Sequence, residues 1–132
     1  MGGDKLTKMP KEAMDFFNDP EASKVLATVD ANGVINVVPK HTLAAIDEET
    51  IAFADIFGDK TNKNLEATNK AAAVAYKLPP AGYQIKGTFQ GFQKSGPLFD
   101  NFAKQVKEKL NMDIKAVGTI KVEEVYSVFP SP

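Results

Sequence analysis

Seven strand-like runs with few helices between them predict a mainly β chain, a closed antiparallel barrel with peripheral helices. Two further observations support this class. Turn signals such as Asn32-Gly33 and Asp47-Glu48-Glu49 separate neighbouring runs at hairpin distances. The chain has 132 residues, 43% of them hydrophobic, which is material for one core and one domain over residues 1–132.

The polar start, MGGDKLTKMP, is expected to be flexible over residues 1–9. Pro10 fits the first turn of a helix reaching Phe17, with Ala13, Met14 and Phe17 on one face. Asn18-Asp19-Pro20 ends it. Residues 23–30 read as a strand, and Asn32-Gly33 as a two-residue hairpin turn into residues 34–38. Pro39 marks a strand edge, bulge or bend, because it has no N–H for a ladder. Residues 43–46 and 50–56 form a second hairpin, residues 61–68 a short helix, and the apolar run 71–76 a buried strand. Pro79-Pro80-Ala81-Gly82 breaks the chain before a strand at 83–92, where the Gly87-x-x-x-Gly91 spacing suggests close backbone approach or bulging. Leu98, Phe99, Phe102, Ala103, Val106 and Leu110 follow a helical period after the start signal Ser95-Gly96-Pro97. Residues 116–128 supply the last strand.

Composition excludes several classes. A net charge of −1 provides no basic field for nucleic acid. No apolar run approaches the roughly 18 residues of a membrane span, and no signal peptide is expected, so a cytoplasmic location is the default. Cysteine is absent, which excludes disulfide and thiolate chemistry, and one histidine makes a His-rich metal site unexpected. All 16 basic residues are lysines. Without a guanidinium fork, any bound phosphate must be held by lysine, hydroxyl and backbone N–H groups.

The segment 51–69, IAFADIFGDKTNKNLEATN, is the most informative for function. An apolar strand stops at a Gly-Asp turn, and Lys60-Thr61 then opens a helix. Free first-turn amides, a cation and a hydroxyl at one point suit an anion. An ordinary β-turn followed by a helix with a surface lysine fits the same residues. Lys63 and Lys70 are nearby in sequence, and Asp59 suits a helix N-cap, where it would compete for those amides. His41 reads as a rim or partly buried histidine with one hydrogen bond, and the acidic groups Asp47-Glu48-Glu49 and Glu123-Glu124 as solvated turn and strand residues rather than acid/base dyads. No catalytic residue is assigned. Neither a GxGxxG nor a P-loop fingerprint occurs.

Five segments in register carry a family resemblance: VDANGVINVVPK (29–40), IAFADIFGDKT (51–61), NKNLEATNKAAAVAY (62–76), GYQIKGTF (82–89) and SGPLFDNF (95–102). Over roughly residues 22–128 the chain resembles the FMN-binding split-barrel group, the pyridoxamine 5′-phosphate oxidase-like proteins, and in particular the small bacterial FMN-binding proteins. That resemblance implies a split barrel of six to seven antiparallel strands, forming a homodimer with FMN at the subunit interface. It places the phosphate on Lys60 and Thr61. It lays the flavin along Val37, Val38, Pro39 and Lys40 and along Phe53, Ala54 and Asp55, with Val38, Pro39 and Phe53 as apolar wall. Asn64 and Lys86 are secondary candidates, and residues 126–129 of a partner subunit would complete the site. The implied function is that of an oxidoreductase or electron carrier acting on a small substrate or a redox partner protein, with His41 or Tyr83 as proton donor if either reaches the flavin. The arginines that true pyridoxamine-phosphate oxidases use are missing, so that activity itself is not expected. A haem- or deazaflavin-binding barrel and a non-catalytic flavin-binding module are the alternatives.

Overall fold

The computed structural model describes residues 6–128. Along the chain run α1 (Lys11–Asn18), β1 (Ser23–Val29), β2 (Ile35–Pro39), β3 (Ala44–Asp47), β4 (Thr50–Asp55), α2 (Lys60–Thr68), β5 (Lys70–Lys77), β6 (Ala81–Gln93), α3 (Pro97–Leu110) and β7 (Ala116–Ser127). All seven strands join one antiparallel sheet in the order β2-β1-β5-β6-β7-β4-β3. The sheet curls into a split barrel whose hydrogen-bonded ladder is open between β2 and β3.

Alternation explains most strands. In β1, Lys24, Leu26 and Thr28 are buried while the residues between them are less so. β4 differs, because Ile51 through Asp55 are all buried. Its Ile51 and Phe53 enter the barrel core with Leu26, Ile85, Ile120 and Val125. Ala52 and Ala54, on the opposite face, pack with Phe102 and Val106 of α3 and Val117 of β7. Both faces are covered, so β4 reads as a continuous apolar run.

Three glycines solve backbone problems. In β6 the register shifts at Lys86/Gly87 and Phe89/Gly91, which lets a long strand bend around the barrel. A Cβ at Gly87 would collide with the Lys121 carbonyl oxygen of β7. At Gly118 the space for a Cβ is taken by the Phe53 ring, 2.5 Å away at Cζ.

The first hairpin differs from the expected two-residue Asn-Gly turn. The Gly33 N–H donates to the Asp30 carbonyl (3.1 Å), Gly33 alone in the turn has positive φ (84°), and Asp30 Oδ1 accepts from the Asn32 and Val34 amides. That is a type I turn closed by a left-handed glycine, and the Asp30 carboxylate selects it over the mirror-image turn.

Of the start expected to be flexible, residues 1–5 lie outside the described residues. Leu6 exchanges backbone hydrogen bonds with Val125 (3.0 and 2.7 Å), and Met9 is buried in the core. The expected helix from Pro10 is α1, with Pro10 at its N-cap position. Its last residue, Asn18, covers the edge of β3: its amide accepts from Ala45 N–H (2.8 Å) and donates to the Ala45 carbonyl (3.2 Å). Among the described residues no helix is long and apolar enough to cross a membrane.

Substituting Gly87→Ala forces the strand off the β7 backbone. The expected loss is about 1–3 kcal/mol, read as a lower urea midpoint at unchanged slope.

Candidate functional site

A cavity of about 510 Å³ lies where the end of β2 faces the end of β4 and the start of α2. The size lies within the range of about 300–1,000 Å³ common for small-molecule sites. Most of its lining comes from three places. Asn36, Val38, Pro39 and Lys40 come from β2 and the residue after it, Ala54 and Ile56 from the end of β4 and just beyond, and Gly58, Asp59, Lys60 and Thr61 from the turn into α2.

The turn is held from below by Asp55. Its buried carboxylate accepts from the Gly58 N–H at 2.9 Å, and its carbonyl accepts from Lys115 N–H at 2.8 Å. Asp59 occupies the N-cap position of α2 but makes no side-chain cap. It pairs instead with Lys63 at 3.2 Å, on the exposed side of the helix. The expected capping carboxylate is therefore turned aside, and no side chain caps the first-turn amides of α2. Thr61 is buried, and its hydroxyl accepts from Asn36 Nδ2 at 3.2 Å, so its own hydrogen stays available to a ligand. Lys60 is exposed at the cavity wall.

Lys40 is the second cation of the lining. Its ammonium lies 5.3 Å from the centroid of Phe53. Burial holds its pKa below the ordinary lysine value, with the Asp55 carboxylate opposing that shift.

Other expected residues sit elsewhere. Phe53 does not form a wall, because it is fully buried in the barrel core, edge-on to Phe92 with centroids 6.2 Å apart. Val37 faces outward and is 59% exposed. Asn64 is buried beneath the helix and donates to Thr28 Oγ1 (3.1 Å), so it fixes α2 to β1. Lys70 and Lys86 line a separate groove on the sheet, and Lys86 lies 5.5 Å from the Tyr126 ring. Tyr83 donates its hydroxyl to Glu12 (3.0 Å), a contact that also raises its pKa after the larger effect of burial. Tyr83 is absent from the cavity lining, whereas the exposed His41 is part of it. Phe129, from the expected partner contribution, lies outside the described residues.

Several lining residues were not singled out in the sequence. Asn36 shares the inward face of β2 with Val38, so period two would have found it. Thr42 holds Ala54 by its hydroxyl, accepting from Ala54 N–H at 3.0 Å. Phe57 stands 76% exposed at the cavity, an aromatic whose isolation at a turn was the available signal. Leu110 arrives from the far end of α3, and nothing local announces it.

Comparison with known proteins agrees with this architecture. A family model described as Pyridoxamine 5'-phosphate oxidase matches residues 9–129. An uncharacterized protein of Methanocaldococcus jannaschii, MJ0282, is 28% identical over 98% of this chain and 87% of its own length. The crystal structure of HupZ from Group A Streptococcus has 26% identity and a TM-score of 0.79, covering 91% of this chain and 94% of that one. An FMN-binding protein from Syntrophomonas wolfei superposes with a TM-score of 0.85 at 23% identity, over 92% and 87% of the two chains. The fold alone is shared, at 15% and 16% identity, with the heme storage protein HutZ of Vibrio cholerae (TM-score 0.67; 93% and 97% covered) and an F420 reductase (TM-score 0.65; 88% and 95%).

The position of Asp59 has a measurable consequence. Asp59→Ala should change stability by less than about 0.5 kcal/mol, as for a surface pair, rather than the roughly 1 kcal/mol of a lost N-cap. Thermal unfolding of the variant beside the parent reads the difference.

Proposed function

The chain belongs to the pyridoxamine 5'-phosphate oxidase family, and from that premise we propose that it is a homodimeric FMN-binding flavoprotein, an oxidoreductase or electron carrier of the cytoplasm. One observation carries the reading: Lys60, Thr61 and an α2 start without a side-chain cap line the same cavity as Val38 and Pro39. A phosphate fits that corner, and a planar apolar ring fits the β2 side.

Bound flavin supplies reversible one- or two-electron transfer. The chain's own contributions are binding and electrostatics. Lys60 and the α2 amides hold phosphate charge, and Val38 and Pro39 exclude water. The half-buried Lys40 cation favours whichever redox form of the ligand carries more negative charge. His41 is the protonatable group at the wall besides the lysines and Asp59. The lack of any arginine argues against a second, substrate phosphate in a guanidinium fork, so the substrate or redox partner differs from pyridoxamine phosphate.

Apolar surface supports the dimer. Val34, Ile35 and Val37 are 61%, 73% and 59% exposed around edge strand β2. They adjoin the groove of Lys86 and Glu124 through Ile35. A partner copy on this face would lie beside the cofactor cavity, since Val38 and Pro39 continue the same strand.

A haem reading draws on His41, the sole histidine, at the cavity wall. The absorbance spectrum of the purified protein separates the two: flavin bands support FMN, and a Soret band replaces it with haem.

Lys60→Ala should remove a charge-assisted contact of about 1.5–3 kcal/mol and raise the FMN dissociation constant roughly tenfold or more. Fluorescence titration checks this, and an unchanged constant removes Lys60 from the site. Replacing Ile35 and Val37 together by Glu should convert the dimer to monomer in analytical ultracentrifugation. A parent protein that sediments as a monomer would sink the dimer reading outright.

A further inference from the structure

A second cavity, of about 500 Å³, lies between α1, β3 and α3. Phe17, Leu43, Phe102 and Val106 give it an apolar wall, Asn18, Asn101 and Gln105 add neutral polar groups, and its lining contains no carboxylate. Its charged residues are Lys24 and Lys109. Lys109 is exposed at the end of α3, whereas Lys24 is only 6% exposed.

Burying an ammonium is costly unless it is paired and hydrogen-bonded. Lys24 makes one hydrogen bond of its possible three, from Nζ to the Leu43 carbonyl at 3.1 Å. The nearby Asp19 carboxylate, which could have paired with it, is held at 2.8 Å by Lys77. Burial accordingly lowers the Lys24 pKa; Asp19 partly offsets this, and Lys109 adds to it. A buried cation with spare donors in a cavity that holds no carboxylate lacks only an anion.

We propose that this cavity is a second ligand site, which binds a small organic carboxylate with an apolar body. The carboxylate meets Lys24, and the body lies along Phe17, Phe102 and Val106. A single buried ammonium matches one negative charge. The apolar wall offers no pairing for the second charge of inorganic phosphate, whose desolvation is then costly. His41, Thr42 and Leu110 line both cavities, so a ligand here shares a wall with the cofactor cavity. The inference stands on the second cavity alone and does not require flavin in the first.

Amide NMR shifts of the full chain, titrated with octanoate and separately with 1-octanol, test it without added FMN. Octanoate should give saturable shifts at Phe102, Val106 and Lys109, and octanol should bind about tenfold or more weakly. Lys24→Met should weaken octanoate about tenfold or more while leaving octanol unchanged. Lys109→Gln, on the surface, should weaken octanoate by about threefold and keeps the test open if Lys24→Met fails to fold. Absence of saturable shifts, equal affinity for acid and alcohol, or full affinity in both variants overturns the proposal. A protein that ignores FMN but passes these tests loses only the flavin reading.

Discussion

The packing of Phe53 against Gly118 is the constraint on which the candidate site depends. β4 is held on both faces, with Phe53 and Ile51 in the barrel and Ala52 and Ala54 under α3. Such a strand has almost no freedom to slide, because a one-residue slip would exchange the two sets of side chains. Phe53 fixes the register, since its ring needs the one position in β7 that lacks a Cβ. Everything after β4 inherits that rigidity. Asp55 sits at a defined depth, ties down Gly58, and so sets where α2 begins. The same ring supports Lys40 from beneath, so a core contact positions a cation of the cavity.

The electrostatics of the molecule follow from its use of lysine alone. An ammonium is a compact, strongly hydrated charge without fixed fork geometry. Directional holding of an anion then has to come from the backbone, which makes the start of α2 more important than it would be beside arginines. The Asp59–Lys63 pair keeps a carboxylate away from the helix amides. Where lysine is buried, as at Lys24, or half-buried, as at Lys40, desolvation lowers the pKa, and the nearest carboxylates only partly offset it.

Much of this was legible in the sequence. α3 carried its period plainly, and the structure bounds it at the expected residues Pro97 and Leu110. Lys60-Thr61 was visible because strand, turn and helix signals meet there. The facing of β4 was not legible. Both of its faces are apolar, so period two could not say whether Phe53 or Ala54 looks toward the cavity. The first turn was misread because the strong Asn-Gly signal outweighed a second local one, an Asp at the first turn position whose carboxylate bonds to amides only two and four residues on. Tyr83 and Leu110 exchanged importance for a non-local reason: their neighbours, Glu12 and the end of β4, lie far away in sequence.

The two free edges of the sheet are treated differently. β3 has its exposed backbone answered by the amide of Asn18, while β2 presents bare apolar side chains. A sheet with two open edges can add copies at both and grow without limit. With one edge closed by a side chain, assembly through strand edges has a single attachment point and ends when two copies meet. A side chain at the end of an eight-residue helix thereby removes one of the two edges at which the sheet could add further strands.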